Sequence, residues 1–307
     1  MLNLKFSDKK VTAKGEPRAF VTLNKLKTLW FNTGTQCNLE CSNCYIESSP
    51  KNDRLVYISD FEVASYLDEI VKNKLDTELI GLTGGEPFLN PYIINILEET
   101  LSRGFDVLVL TNAFRVIKKH ESSLLKLKEK YSDKLHLRVS LDHHSKELHE
   151  GERGLKTFDL TLNRIKWLVD HKFNVSIAGR SLSDDLDPES SYQELFNSLS
   201  IELKLQTGKN LVIFPEMSST EDVPEITTDC WDILSKSPND QMCASERMIV
   251  KRKGAHSPVV LPCTLIAYDD EFELGSTLME SEKDVYLNHK FCSKFCVLGG
   301  ASCSSAK

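Results

Sequence analysis

From about residue 28 to 216, short runs of β-branched and apolar residues alternate with longer segments whose apolar positions recur at helical spacing. The short runs predict strands over Leu29–Thr33, Glu78–Thr83, Asp106–Thr111, Leu135–Leu141, Asn174–Gly179 and Asn210–Phe214. The helical segments between them carry clear start and stop signals. Ser59-x-x-Glu62 is a capping box opening a helix with Phe61, Ala64, Leu67 and Val71 on one face. Asn90-Pro91 sets a cap and a first-turn proline ahead of a helix that stops at Gly104. Residues 157–172 repeat the pattern, and Pro188 opens another helix. Strands alternating with helices imply parallel strands joined by right-handed crossovers, an α/β sheet that either stays open or curls into a barrel.

After Glu216 the pattern changes. Residues 217–242 are polar, with Pro224 and Pro238 flanking a short helical turn at Cys230–Leu234, and read as a linker. Beyond them Arg247–Gly254 and Pro258–Pro262 form two β-branched arms around a glycine turn, a β-hairpin. The chain therefore divides into an N-terminal segment (1–27), an α/β unit (28–216), a linker (217–242) and a Cys-rich tail (243–307).

The chemistry lies at the predicted strand ends. Cys37, Cys41 and Cys44 form a C-x3-C-x2-C triplet in the loop after the first strand. Such a triplet supplies either half of a zinc site or three corners of a 4Fe-4S cube whose fourth iron stays open. Gly84-Gly85-Glu86-Pro87 follows the second strand, and Asn112, Ser140, Arg180 and Glu216 fall at or after later strand ends. Special residues gathered on one rim are the mark of an α/β active site. Two adjacent glycines let the backbone approach a ligand without a Cβ clash, and Glu86 also suits a structural tie to a neighbouring strand.

In these residues the chain resembles the radical S-adenosylmethionine (SAM) superfamily. The resemblance implies a partial (β/α)6 barrel with its site at the strand C-terminal ends. It implies that the open iron is chelated by the methionine half of SAM, and that one electron splits the sulfonium to give a 5′-deoxyadenosyl radical that takes a hydrogen atom from a substrate. It also implies that Gly84, Gly85, Glu86 and Pro87 contact the methionine amino group. Thr111-Asn112-Ala113 resembles the family's Thr-Asn-Gly, and Val139-Ser140-Leu141-Asp142 its Ser-Leu-Asp. Ser140 would then meet the ribose hydroxyls or the carboxylate, with Asn112 orienting it. Arg153 and Arg180 are the candidates to pair with that carboxylate. Asn43 departs from the apolar or aromatic residue usual before the third Cys. His143, His144 and His149 sit near the same rim and read as exposed histidines of an acidic loop.

Five further cysteines, Cys243, Cys263, Cys292, Cys296 and Cys303, lie in the tail, and the hairpin brings Cys243 and Cys263 together. This resembles the twitch and SPASM extensions of the superfamily and implies a second, auxiliary 4Fe-4S cluster. Five cysteines suffice for one such cluster. A zinc ribbon and unligated thiols are the other readings, and Cys230 reads as a small buried hydrophobe.

Composition narrows the function. The chain has 307 residues, 40% of them hydrophobic, with no apolar run of membrane-spanning length and no signal-peptide core, which points to a cytoplasmic protein. Nine cysteines without a secretion signal argue for metal or redox chemistry. A formal charge of −7 weighs against nucleic acid, and Lys251-Arg252-Lys253 reads as a solvated turn. The expected partners are an electron donor such as flavodoxin or ferredoxin and a small-molecule or peptide substrate. About 28 residues before the first strand are too few for a leader-peptide-binding domain. The expected outcome is an oxidation or cross-link. The alternative is a non-catalytic iron-sulfur electron carrier, which would have no use for Gly84–Pro87, Asn112 or Ser140.

Overall fold

The computed structural model describes residues 4–183, 185–215 and 222–299. Its elements run β1 (Phe20–Val21), β2 (Thr28–Asn32), α1 (Asp60–Asn73), β3 (Leu79–Thr83), α2 (Ile93–Ser102), β4 (Asp106–Thr111), α3 (Glu121–Tyr131), β5 (Leu135–Ser140), α4 (Lys146–Arg153), α5 (Thr157–Asp170), β6 (Asn174–Arg180), α6 (Pro188–Ser198), β7 (Leu211–Phe214), α7 (Cys230–Ile233), β8 (Glu246–Val250), β9 (Val259–Leu261) and β10 (Val285–Tyr286). The six strands expected from the sequence are present as β2 to β7, all parallel, in the order β7-β6-β5-β4-β3-β2. This is the partial (β/α)6 barrel.

Alternation along each strand builds two cores. On the outer face Leu29, Phe31, Ile80, Val109, Leu137 and Ile177 pack under the helices. On the inner face Trp30 and Leu108 pack with Met242 of the linker and with Cys243, Met248, Leu261 and Cys263 of the tail. The tail hairpin thus shares the barrel's inner core. Strand β8 pairs parallel to β2, placing Trp30 opposite Met248, and β9 turns back antiparallel, so that one eight-stranded sheet runs from β7 to β9. Buried Trp30 donates Nε1–H to Glu246 Oε2 at 2.6 Å across that junction. The N-terminal segment is stitched on by the β1–β10 pair and by a buried ion pair, Arg18–Glu225, at 2.6 Å.

Several local expectations change. The Ser59–Glu62 capping box is present, yet Phe61 and Val71 are 84% and 61% exposed. The buried face of α1 is Val63, Tyr66, Leu67 and Ile70. Both stripes have helical spacing, and the Tyr66 hydroxyl, donating to Ser276 O at 2.8 Å, selects the second. Helix α2 begins at Ile93, and Asn90 Oδ1 accepts Tyr92 N–H at 2.8 Å, capping the turn that leads into it. The Asn90 side-chain amide donates to Thr33 O and Ile58 O, joining the loops after β2 and before α1. The Lys251–Lys253 run is a solvated turn only in part: Lys251 and Arg252 are half-buried and pair with Glu62 and Glu273, while Lys253 is exposed in the turn and pairs with Asp53. Among the described residues no helix is long and apolar enough to cross a membrane.

Candidate active site

The loop after β2 carries the cysteine triplet, and the turn after β3 grips that loop. Gly85 N–H donates to Gly34 O at 2.9 Å and Glu86 N–H to Gln36 O at 3.1 Å. The approach requires glycine at both positions. Gly84 has φ +137°, where a Cβ would lie 2.4 Å from Gly34 O, and a Cβ on Gly85 would lie 2.2 Å from Gln36 O. The double glycine therefore serves the contact between two protein loops as well as the face open to a ligand.

A cleft of about 1290 Å³, counted out to its open mouth, lies over the strand ends and is lined by Cys37, Cys41, Cys44, Gly84, Gly85, Asn112, Ser140, Arg153 and Arg180. Six separated stretches of sequence thus converge on one space. Glu86 and Pro87, expected on the cofactor, stand behind its wall. The Glu86 carboxylate is buried and accepts from Thr111 Oγ1, Asn112 N–H and Phe88 N–H at 2.8, 2.9 and 3.1 Å, while burial pushes its pKa up to about 7. It ties the end of β3 to the end of β4. Asn112 does not orient Ser140. Its amide donates to Asn38 Oδ1 at 3.0 Å and to Cys37 Sγ at 3.5 Å, so it holds the cysteine loop.

The thiols sit in a dry setting. Burial pushes Cys37 up to about 12 and also raises Cys41, which Arg153 opposes. Leu39 N–H donates to Cys37 Sγ and Ser48 N–H to Cys44 Sγ, at 3.4 and 3.3 Å. A donor set of this kind fits a metal cluster, because bound cations supply the stabilisation that a buried thiolate otherwise lacks. Asn43 has a local role. Its amide donates to the Glu152 carboxylate at 3.0 and 3.1 Å, pinning the cysteine loop to α4.

The two arginines differ. Arg153 is bidentate to buried Asp142, Nε to Oδ2 at 2.7 Å and Nη2 to Oδ1 at 2.8 Å. Burial alone would raise Asp142, and the Arg153 guanidinium outweighs it and holds the carboxyl below the usual range. Arg180 donates Nη2–H to Asn43 O at 2.8 Å and stands 3.8 Å from Asp142, while its buried Nη1 has no hydrogen-bond partner. The histidines are not an exposed group. His143 and His149 are buried, and His149 Nδ1 accepts from Asp142 N–H at 3.2 Å. Residues 146–153 form a helix, not a solvated loop, and carry His149 inward. Burial first, then Arg153, pulls His149 down to about 4.

Arg138 escaped the sequence reading. It lies on the inner face of β5 two residues before Ser140, is buried, lines the cleft and donates Nε–H to Ser176 Oγ at 3.2 Å. A lone arginine within an apolar strand was its available signal. Met242 at the end of the linker and Leu265 and Phe295 of the tail also line the cleft.

A second, smaller cavity is ringed by Cys243, Cys263, Cys292 and Cys296, with Ile266, Val285 and Leu287. Cys292 and Cys296 lie on one π-helical stretch, Cys292–Leu298, whose wide turn brings residues four apart to one face. Burial pushes Cys243 up to about 11 and Cys292 well above its ordinary value. Cys303 and Glu216 lie outside the described residues. Cys230 is half-buried and packs against the inner core, and its Sγ accepts from Thr227 N–H at 3.4 Å, outside the lining of this cavity.

Residues 31–182, the stretch holding the triplet and the first five strand ends, match the family model of the radical SAM superfamily. The chain belongs to that superfamily. Its resident cofactors are accordingly a 4Fe-4S cluster and SAM. The chain is 36% identical over 149 residues to the antilisterial bacteriocin subtilosin biosynthesis protein AlbA of Bacillus subtilis, covering 48% of this chain and 32% of AlbA. It is 30% identical over 135 residues to a probable GTP 3′,8-cyclase of Saccharolobus islandicus, covering 44% of this chain and 41% of the cyclase. The matches thus span well under half the length of these relatives. Two solved structures share the fold. Streptococcus suis SuiB bound to S-adenosylmethionine superposes with TM-score 0.59 at 15% identity, over 82% of this chain and 63% of SuiB. Native anSMEcpe with bound AdoMet superposes with TM-score 0.61 at 18% identity, over 86% of this chain and 82% of anSMEcpe.

Proposed function

We propose that this radical SAM protein cleaves SAM reductively in the cleft over β2–β6 and modifies a peptide substrate by hydrogen abstraction, with a second 4Fe-4S cluster held in the tail. The convergence of Cys37, Cys41 and Cys44 with Gly84, Ser140 and Arg180 on one cleft carries this reading. When bound, the cluster and SAM supply a 5′-deoxyadenosyl radical as hydrogen acceptor.

The chain's own residues set the conditions. The three thiolates hold the cluster, with Asn112 and the Leu39 and Ser48 amides donating to their sulfurs. Arg180 Nη1, buried without a hydrogen bond and 3.9 Å from Glu152 Oε2, is the group suited to a ligand carboxylate, whereas the Arg153 fork is already occupied by Asp142. Ser140 lies on the adjoining wall and offers a hydroxyl to the ribose or carboxylate. Met242, Leu265 and Phe295 shield the reacting space from water. A catalytic cleft with these fittings also separates the reading from that of an electron carrier.

A peptide is favoured by the likeness to AlbA, a bacteriocin biosynthesis protein, and by SuiB, whose fold is shared and which has been solved bound to the precursor peptide SuiA. Cys243, Cys263, Cys292 and Cys296 are a complete ligand set for the tail cluster. Such a cluster has no open iron, which suits it to accept an electron from a substrate radical and make the net reaction an oxidation. A flavodoxin or ferredoxin would supply the first electron.

The test is anaerobic. Reconstituted protein incubated with SAM and dithionite is expected to release 5′-deoxyadenosine, and to release it faster with a substrate peptide than with GTP. Stimulation by GTP alone would replace the peptide with a nucleotide.

A further inference from the structure

Behind the tail cavity stands a cation that the proposed chemistry leaves unexplained, bonded to the carbonyl of Cys243, one of the cysteines lining that cavity. Arg247 on β8 is fully buried, and every hydrogen bond it donates among the described residues goes to a backbone carbonyl. Nη1 reaches Cys243 O at 2.6 Å and Glu246 O at 2.8 Å, and Nε and Nη2 reach Ser281 O at 3.2 and 3.1 Å. Among the described residues no carboxylate stands within ion-pair distance of it, the neighbouring Glu246 carboxylate being turned to Trp30.

Carbonyl dipoles solvate a guanidinium without neutralising it, so a buried arginine held only by carbonyls lacks a counter-ion. Four thiolates around an iron-sulfur core leave a net anion, which becomes more negative on reduction. The bond to Cys243 O places this cation next to that anion.

We infer that Arg247 is the counter-ion of the tail cluster and raises its reduction potential, so that the cluster accepts an electron more readily. This rests on the reading of the tail as a cluster site and adds to it a residue that tunes the cluster without ligating it. A cap that merely satisfied the Cys243 and Ser281 carbonyls would contribute to folding and leave the potential insensitive to charge at position 247.

The test uses the full chain, reconstituted, with iron counted per chain and the tail cluster titrated by electron paramagnetic resonance as the signal that SAM does not perturb. Arg247→Lys keeps the charge and Arg247→Gln removes it. Arg247→Gln is expected to shift the reduction equilibrium about tenfold toward the oxidised form, 59 mV for one electron, with Arg247→Lys close to the wild type. Loss of the tail irons in Arg247→Gln with their retention in Arg247→Lys also supports the assignment. Equal potentials in all three proteins, or loss of the tail irons from Arg247→Lys as well, overturns it. A wild-type chain that holds only four irons overturns the tail-cluster reading itself, and the Arg247 role with it.

Discussion

Arg153 and Arg180 both border Asp142, and the difference in their contacts assigns them different work. Arg153 is committed to a buried bidentate pair, so Arg153→Ala strands the Asp142 carboxylate and is expected to cost about 3–5 kcal/mol of stability in urea unfolding. Arg180 has a buried donor to spare. Arg180→Ala is expected to weaken SAM binding by about 1.5–3 kcal/mol in calorimetry, with the iron content unchanged. The reverse pattern, lost SAM affinity in a well-folded Arg153→Ala protein and none in Arg180→Ala, would exchange the two roles. His149 gives a pH signature. Its folded pKa, near 4, lies below the unfolded value near 6.5, so the unfolded chain binds the extra proton between these limits. Its neutral burial therefore contributes stability that is full above about pH 6.5 and lost as pH falls toward 4. The slope of melting temperature against pH in that window should flatten in His149→Gln. The sequence showed both arginines and all three histidines, but not which guanidinium was already occupied or which imidazole was buried. Those facts depend on α4, whose polar residues 146–153 resemble a solvated loop until Glu152 and Arg153 find partners across the cleft.

At the level of elements, the strands were legible to within about a residue because buried parallel strands read as short apolar runs bounded by polar punctuation. The pairing of β8 with β2 was hidden, since nothing local in residues 246–250 reports a partner more than two hundred residues away. The turn after β3 gives the sharpest test at this scale. Gly85→Ala places a Cβ 2.2 Å from a backbone oxygen of the cysteine loop, and backbone cannot yield as a flexible side chain can. That variant is expected to lose the first cluster on reconstitution, whereas Gly104→Ala, where a Cβ meets nothing within 4 Å, should retain it. Full iron loading in Gly85→Ala would show that the loop contact is dispensable. The Gly-Gly-Glu-Pro stretch was legible as a motif and only partly as a mechanism. Its glycines join two loops, and its glutamate braces two strands behind the site.

Over the whole molecule, two groups of cysteines occupy two separate cavities on one continuous sheet, and the tail lines both. Reconstituted protein is expected to hold about eight irons per chain, and replacing Cys37, Cys41 and Cys44 together by Ala should leave about four. A wild-type protein saturating at four irons with one equivalent of zinc would make the tail a zinc site. The division of labour between the cavities leads to the most direct measurement, which is 5′-deoxyadenosine release under dithionite by wild-type protein and by Cys41→Ala at matched tail-iron content. Release by the wild type and none by Cys41→Ala is the expected result. Release by both at the same rate, or by neither although the wild type carries its full iron, would contradict SAM cleavage at the Cys37–Cys44 loop.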